Sequence, residues 1–483
     1  MMCPARPEPV HSAPFGLDWR VIAIGMVALG GAAAFVVLPL PLVVLGLIGL
    51  ATGACAIWAP EWAVAAIVAS VPVQRALEGP AGLTATKVVV MAGLAGWLLR
   101  CAVQRSPIVV DGIGAAWLVY VVVLVASGAV ARDLGAWAGE VYRWGVALAV
   151  YVMARQVIAS GRDRLPIVGA MMAATAAMAL LAFWQVATRA GPPSFSAGGI
   201  TRAFGTFGEP NPFAGYLEMT VPLFIALVVA DRAGASILRA GRWTMAGWAA
   251  VLMGTAALAL TQSRGGILGF AAGIAAVVWL SGGRVRRIGL VAAPVAVVVV
   301  LLTPLGTRIV QRIGPEAIAS GGEQQVTVAN FASHERAAHW RAAIEMARRQ
   351  PILGVGAGNF NERFREMTQV WRFRIPRGHA HNAYLQALAQ AGVTGLVAYL
   401  ALIGVVARTL WRRLREAGDG ASRALVVGAI GVTTAVAAHN LVEYLHVLSL
   451  GLQLAVVWAL TTGQSRAPTH FAAELPVARV AAG

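Results

Sequence analysis

Apolar runs of about 20 residues, each long enough to cross a hydrocarbon layer, follow one another along almost the whole of this 483-residue chain. No other feature limits the fold so tightly. In lipid every backbone N–H and C=O must find its partner inside the protein, and continuous runs of this length do so as transmembrane helices. The candidates are about 21–38, 42–59, 62–74, 86–100, 114–131, 140–158, 166–187, 211–230, 244–262, 265–282, 288–304, 383–407, 423–441 and 446–463. Two of them, 62–74 and 86–100, are short for a full crossing, so about 12 spans, within a range of 12–14, are expected. Charged residues make up only 12% of the chain against roughly 25% in soluble proteins, which excludes a water-soluble fold. The expected class is an all-α polytopic membrane protein.

The formal charge is +17, and Lys87 is the only lysine, so nearly all the positive charge is arginine. A strongly basic chain can be a nucleic-acid binder. Here the arginines sit mostly in short connections between apolar runs, where the positive-inside bias accounts for them. Arg100 and Arg105, Arg155 with Arg162 and Arg164, Arg232 with Arg239 and Arg242, Arg284 with Arg286 and Arg287, and Arg408 through Arg415 recur at alternate connections. Assigning those to the cytoplasm puts both termini inside, and 188–210, 263–265, 305–382 and 442–446 outside. Nucleic acid is not an expected partner; membrane lipid is. Cys3, Cys55 and Cys101 lie apart from the long polar loop and form neither a disulfide framework nor a cysteine metal site.

The expected organisation is a cytoplasmic N-terminus over 1–20, with the span that follows it retained, and N-terminal helices over 21–187. Central helices over 188–304 carry the conspicuous arginine motifs. A large, mainly helical loop over 305–382 leads to C-terminal helices over 383–463 and a cytoplasmic tail over 464–483. Within the loop, 333–349 reads as a helix capped by Ser333, with Trp340, Ile344 and Ala347 on one face and Pro351 with Gly354 beyond its end. The following Gly354-Val-Gly356-Ala-Gly358 lacks the strand-to-helix setting of a dinucleotide fingerprint. No internal repeat is visible, which counts against an inverted-repeat transporter.

Arginines on the expected outer side break the charge bias. Arg202 lies in Arg202-Ala-Phe-Gly-Thr-Phe-Gly-Glu-Pro-Asn-Pro-Phe213, a tight loop that contains Asn211 and leads into a span. Snorkelling to headgroups is the plain alternative to a ligand-binding role. Arg264 lies in Thr261-Gln262-Ser263-Arg264-Gly265-Gly266, at the tip of a short hairpin. At such depth it calls for an anionic ligand, or for a distant carboxylate such as Glu209 or Glu443. The third site is Arg377-Gly378-His379-Ala380-His381-Asn382, where the loop re-enters the membrane and a histidine can accept a proton near neutral pH. Its two histidines at i, i+2 also permit a metal, but no acidic or cysteine partner lies within the motif. His439 and Glu443 are four apart and would share a helical face, either supporting this site or stabilising the bundle. The loop's Arg363, Arg365, Arg372, Arg374 and Arg377, interleaved with Phe364, Trp371 and Phe373, fit either an anion-binding surface or a solvated basic face.

Together these residues resemble the O-antigen ligase and polymerase superfamily of bacterial envelope glycosyltransferases. The match rests on Arg202-x-x-Gly-Thr-Phe…Pro-Asn, on Gln262-Ser263-Arg264-x3-Leu268, and on His381-Asn382 followed after nine residues by Gly392-Val-Thr-Gly395. It covers about 165–465. The resemblance implies a polytopic lipid-donor glycosyltransferase (GT-C-like) fold in the bacterial inner membrane, with its one large loop and its active site on the periplasmic side. It also implies an undecaprenyl-diphosphate-linked glycan donor, a lipid A–core acceptor, no cofactor and no metal. In that reading His381 is the base, Arg202 and Arg264 hold the diphosphate, and Arg336, His379, Asn382, Gln262 and Asn211 shape the substrate site. O-antigen polymerase and pilin-directed O-oligosaccharyltransferase share the chemistry with other acceptors. A lipid-linked glycan flippase is the reading from a different class.

Overall fold

The computed structural model describes residues 39–74, 82–197, 200–232, 234, 237–238, 241–283, 285–289, 331–367, 377–418 and 420–463. The candidate span 21–38, nearly all of 288–304, the loop residues 305–330 and 371–374, and both chain ends lie outside the described residues. In chain order the helices are α1 Leu40–Trp58, α2 Pro60–Ser70, α3 Ala85–Val103, α4 Gly112–Ala126, α5 Leu134–Ala159, α6 Leu165–Ala187, α7 Pro210–Glu218, α8 Val221–Asp231, α9 Arg242–Thr261, α10 Arg264–Ser281, α11 Phe331–Arg349, α12 Phe360–Met367, α13 Ala383–Glu416, α14 Gly420–His439 and α15 Leu450–Leu460. The only strands described are a two-residue antiparallel pair, Ser196–Ala197 with Ile200–Thr201. Among the described residues nine helical runs are long and apolar enough to cross a membrane, with α2 and α15 shorter. The chain is therefore a multi-pass membrane protein whose described residues are overwhelmingly helical. Of the two short candidates, 86–100 belongs to the full-length α3 and 62–74 falls on the short α2.

The expected span at 211–230 is broken. Pro222 offers no N–H to the carbonyl of Glu218, one turn back, so α7 stops at Glu218 and α8 starts at Val221. This run is 83% buried, the highest share of any described crossing. It forms the centre around which α9, α10 and α14 pack. Helix α10 lies directly on α14 through Gly265, Gly269 and Gly273. Methyl groups on Gly269 and Gly273 would each stand 2.7 Å from a backbone carbonyl of α14, so small residues set the helix spacing. At the other end of the bundle Asp111 caps α4 at Gly114 N (3.1 Å) and also holds Arg155 (3.1 Å), Arg413 (3.2 Å) and the Tyr151 hydroxyl (2.9 Å).

Among the described residues helix α11 runs over Phe331–Arg349 and contains Ser333, so Ser333 is not its cap. Its buried face is His339, Ala342, Ala343, Met346 and Ala347, whereas Ile344 is 39% exposed. Ala342, Ala343 and Met346 pack with Val355, Phe360, Phe364, Ala380 and Ala389 into a small core of their own, separate from the main bundle core. This core meets the bundle through the glycine-rich turn. Val355 N donates to Ala389 O (2.9 Å), and Ala357 N to Ser127 Oγ (3.0 Å). Gly358, at φ +75°, brings its backbone against the Ala136 carbonyl, where any side chain would collide. Asn359 then accepts from the backbone N–H groups of Arg132 (3.0 Å) and Asp133 (2.7 Å) and donates to the Asp133 carbonyl (3.0 Å). On the neighbouring side Gly392, at φ +67°, kinks α13 against the Ile352 and Pro351 carbonyls. The sequence GVGAG is thus a docking turn.

Asn359→Ala should release this anchor by leaving two backbone donors at the 132–133 turn without an acceptor, at a cost of about 1–3 kcal/mol. Amide exchange should speed up at 132–133 and 355–360 while the α7–α8 crossing keeps its protection.

Candidate functional site

The site is organised by one carboxylate. Glu443 follows α14 in a tight turn and is 3% exposed. Its Oε1 accepts from His381 Nδ1 at 2.9 Å and lies 3.6 Å from His379 Nδ1. Its Oε2 accepts from Asn211 Nδ2 at 2.6 Å and lies 3.7 Å from the Arg336 guanidinium. Four residues expected at a substrate site therefore meet on a glutamate given only a supporting role by sequence. The expectation that Glu443 shares a helical face with His439 is wrong. Helix α14 ends at His439, whose Nδ1 faces Glu218 at 3.0 Å, while Glu443 turns to His381.

Local geometry explains why His381 reaches a residue 62 positions away. Asn382 caps α13, its Oδ1 accepting from Leu385 N (2.9 Å), and its Nδ2 donates to Leu441 O (2.8 Å). Ala383 N donates to Asn440 O (2.9 Å), so the start of α13 is strapped to the turn after α14. His381 itself sits at φ +52°, a left-handed conformation that costs a non-glycine residue energy and is common at functional sites. That turn aims the ring at Glu443. Trp340 Nε1 donates to the His381 carbonyl (3.3 Å), and His381 N donates to His379 Nδ1 (3.2 Å). With Nδ1–H given to the carboxylate, Nε2 carries the lone pair, and it is buried without a hydrogen-bond partner among the described residues.

Charge reinforces this arrangement. Burial raises the Glu443 carboxyl, but the His381 hydrogen bond and Arg336 are among the effects that outweigh it and hold it below the ordinary carboxylate range. Burial drives His379 down to about 3, against the opposing pull of Glu443, so its imidazole is neutral at pH 7. Burial likewise lowers His446, which accepts or donates at the Tyr399 hydroxyl (2.8 Å), to about 3.

The arginine motifs meet the same site. Arg202 Nε donates to the Thr261 carbonyl (2.9 Å), and its Nη2 to Asn211 Oδ1 (3.3 Å). Asn211 thereby bridges Arg202 to Glu443. Gln262, at φ +51°, makes the αL turn, Ser263 caps α10 at Gly266 N (3.2 Å), and Arg264 is the first helical residue. Arg202 is thus tied three residues ahead of Arg264. The loop arginines behave otherwise. Arg363 pairs with Glu366 (3.2 Å) and Arg377 with Glu335 (2.8 Å), while Phe364 is fully buried and stacks on His339 with centroids 4.2 Å apart. Phe364 is core, not part of an exposed basic-aromatic surface.

The carboxylate missing from the histidine motif is supplied from a distance. His379, His381 and Glu443 each offer one ligand atom, all within 4.8 Å of one another. A cation there would compete for the same Glu443 oxygen that His381 uses and would face Arg336 across the carboxylate. Sequence reasoning missed Glu218 altogether. The available signal was a lone carboxylate inside an apolar run, which in a membrane calls for a partner.

Protonating His379 costs the folded state, because the unfolded histidine binds its proton near 6.5 and the folded one near 3. Stability should therefore fall as pH drops from about 6.5 toward 3. Glu443, lowered instead, adds to that loss only below the ordinary carboxylate range. Melting curves should show a shallower loss between pH 6.5 and 4.5 for His379→Asn than for the unaltered protein. Equal slopes would contradict the buried neutral imidazole.

No curated protein matches the chain. Residues 248–400 match the family model described as O-antigen ligase, a stretch that holds Gln262, Arg264, Arg336, His379, His381 and Asn382 and ends before Glu443. That match supports assigning the chain to the O-antigen ligase superfamily.

Proposed function

We propose that this protein is a glycosyltransferase of the ligase type that moves a glycan from undecaprenyl diphosphate to a lipid A–core oligosaccharide on the periplasmic face of the inner membrane. The observation that carries the reading is the Glu443–His381 pair, whose Nε2 has no hydrogen-bond partner among the described residues, set beside the Arg202 and Arg264 motifs.

His381 Nε2 removes the proton from an acceptor hydroxyl, and the oxygen forms its bond to the anomeric carbon of the donor sugar. The bond from that carbon to the diphosphate oxygen breaks, and its electron pair leaves with undecaprenyl diphosphate. Attack opposite the leaving group inverts the anomeric centre. Glu443 fixes the imidazole tautomer and stabilises the imidazolium as it forms. The leaving group is already good and needs charge stabilisation. Arginine supplies it permanently and in a bidentate fork, which is the role of Arg202 and Arg264. Asn211 connects the two halves, since one amide touches both Arg202 and Glu443. Arg336, His379, Asn382 and Gln262 hold the surrounding geometry.

The deciding assay combines purified protein and lipid-diphosphate glycan with a choice of acceptors, the products being separated by gel. Lipid A–core as the preferred acceptor supports the ligase. Elongation of a second lipid-linked glycan, or transfer to pilin, would move the assignment to the polymerase or the oligosaccharyltransferase. Movement of intact donor across the bilayer without transfer would make it a flippase.

His381→Ala should bind donor normally and lose transfer by about 10²- to 10⁴-fold, the usual contribution of general base catalysis. Glu443→Gln should fall between that variant and the parent. Arg264→Ala should weaken donor binding by about 1.5–3 kcal/mol, the worth of a charge-assisted hydrogen bond, and Lys should rescue it poorly. Unchanged turnover in His381→Ala, with the protein folded, would move the base elsewhere.

A further inference from the structure

We propose that Glu218 and His439, a buried pair outside the reaction described above, position Arg264 for the donor diphosphate. The inference rests on Arg264 being a donor ligand. Glu218 is the last residue of α7 and His439 the last of α14, and they are 0% and 1% exposed. His439 Nδ1 lies 3.0 Å from Glu218 Oε1 and 3.2 Å from Oε2. In an apolar bundle such a pair has few acceptable geometries, because a buried polar group that loses its partner is costly.

The wall over this pair is the first two turns of α10, with no side chain in between. A methyl on Gly265 would stand 2.6 Å from His439 Cδ2 and 2.7 Å from Nε2. A methyl on Gly269 would stand 3.0 Å from Glu218 Oε2. The residue immediately before Gly265 is Arg264. The backbone that carries Arg264 therefore rests on the imidazole itself, and a shift of the ring becomes a shift of the arginine.

The pair also joins the elements that deliver the other parts of the site. Helix α7 begins beside Asn211, which holds Arg202, and the turn after α14 carries Glu443. Glu218 and His439 fix α7 to α14 one layer beneath those contacts, and α10 is packed onto both. They are positioning residues: neither reaches the reacting atoms, and both set where the diphosphate ligand stands relative to His381.

The test is binding of undecaprenyl diphosphate to the full-length protein in detergent, with melting temperature measured alongside. Gly265→Ala should weaken binding about tenfold or more, the equivalent of losing one charge-assisted hydrogen bond to the diphosphate. Because both substitutions act through the same contact, Gly265→Ala combined with His439→Ala should lose little more binding than either variant alone. Glu218→Ala should weaken binding comparably, whereas Glu218→Gln, which keeps the shape and a hydrogen bond, should stay within about threefold of the parent. The acceptor KM should not move. A role confined to stability predicts lower melting temperatures with additive losses in the double variant, and that result overturns the proposal. Normal binding by Glu218→Ala and Gly265→Ala, with loss in Arg264→Ala, also overturns it while leaving the donor site intact. Normal binding by Arg264→Ala removes the donor-site reading and this inference together. Should Glu218→Ala fail to fold, the Gly265 and His439 pair of variants decides.

Discussion

A carboxylate buried at the edge of an apolar bundle must be compensated, and the compensation of Glu443 organises this site. An unpaired buried charge is among the costliest features a protein can carry. Glu443 draws its partners from three separate segments: Asn211 at the start of α7, Arg336 on α11, and His379 with His381 before α13. Each partner arrives with its own element, so satisfying one side chain fixes the relative placement of three segments. Asn211 extends this to Arg202 and, through the Thr261 carbonyl, to the turn before α10.

The helices were legible because the apolar runs that make them are long and local. Their number and ends were less so, for reasons that can be named. Pro222 broke a run that hydropathy alone reads as continuous, since one missing N–H leaves composition unchanged. Ile344 is exposed because the partner of α11 is the small cluster around Phe360 and Phe364, and that partner selects the Ala342–Met346 face. His381, Arg202 and Arg264 stood out as polar residues in glycine-rich turns beside apolar runs, and the structure brings their segments together. Their mutual geometry was hidden. Nothing local links position 381 to 443, because the link passes through an N-cap, one side-chain hydrogen bond from Asn382 and one backbone hydrogen bond from Ala383. For the same reason the i, i+4 spacing of His439 and Glu443 misled: the helix stops between them, and each finds a distant partner.

Glycine has two different uses here. In α10 the absence of side chains lets two helices approach to backbone contact, which strengthens packing where lipid offers no hydrophobic drive for association. In the turn around Gly358 it gives a positive φ that aims Asn359 into the 132–133 turn. The first use stiffens the floor of the site and the second anchors its roof. Both place rigid backbone next to the polar groups, so those groups need little reorganisation when charge develops.

The two histidines of the motif look equivalent in sequence, and the structure separates them. His379 Nδ1 is taken up by the His381 backbone N–H, and burial keeps the ring neutral. Its service is to hold the strained turn in place. His381 has the shorter contact to the carboxylate, 2.9 Å against 3.6 Å, and its far nitrogen is left with a lone pair and no hydrogen-bond partner among the described residues. A buried acceptor without a donor is costly in a resting protein and is tolerated where a ligand completes it. In the reaction proposed above, an acceptor hydroxyl is such a ligand. It donates the hydrogen bond that Nε2 lacks, and in doing so it stands where its proton can be removed. On that reading the unsatisfied nitrogen orients the substrate for attack, and the neutral histidine two residues earlier cannot replace it.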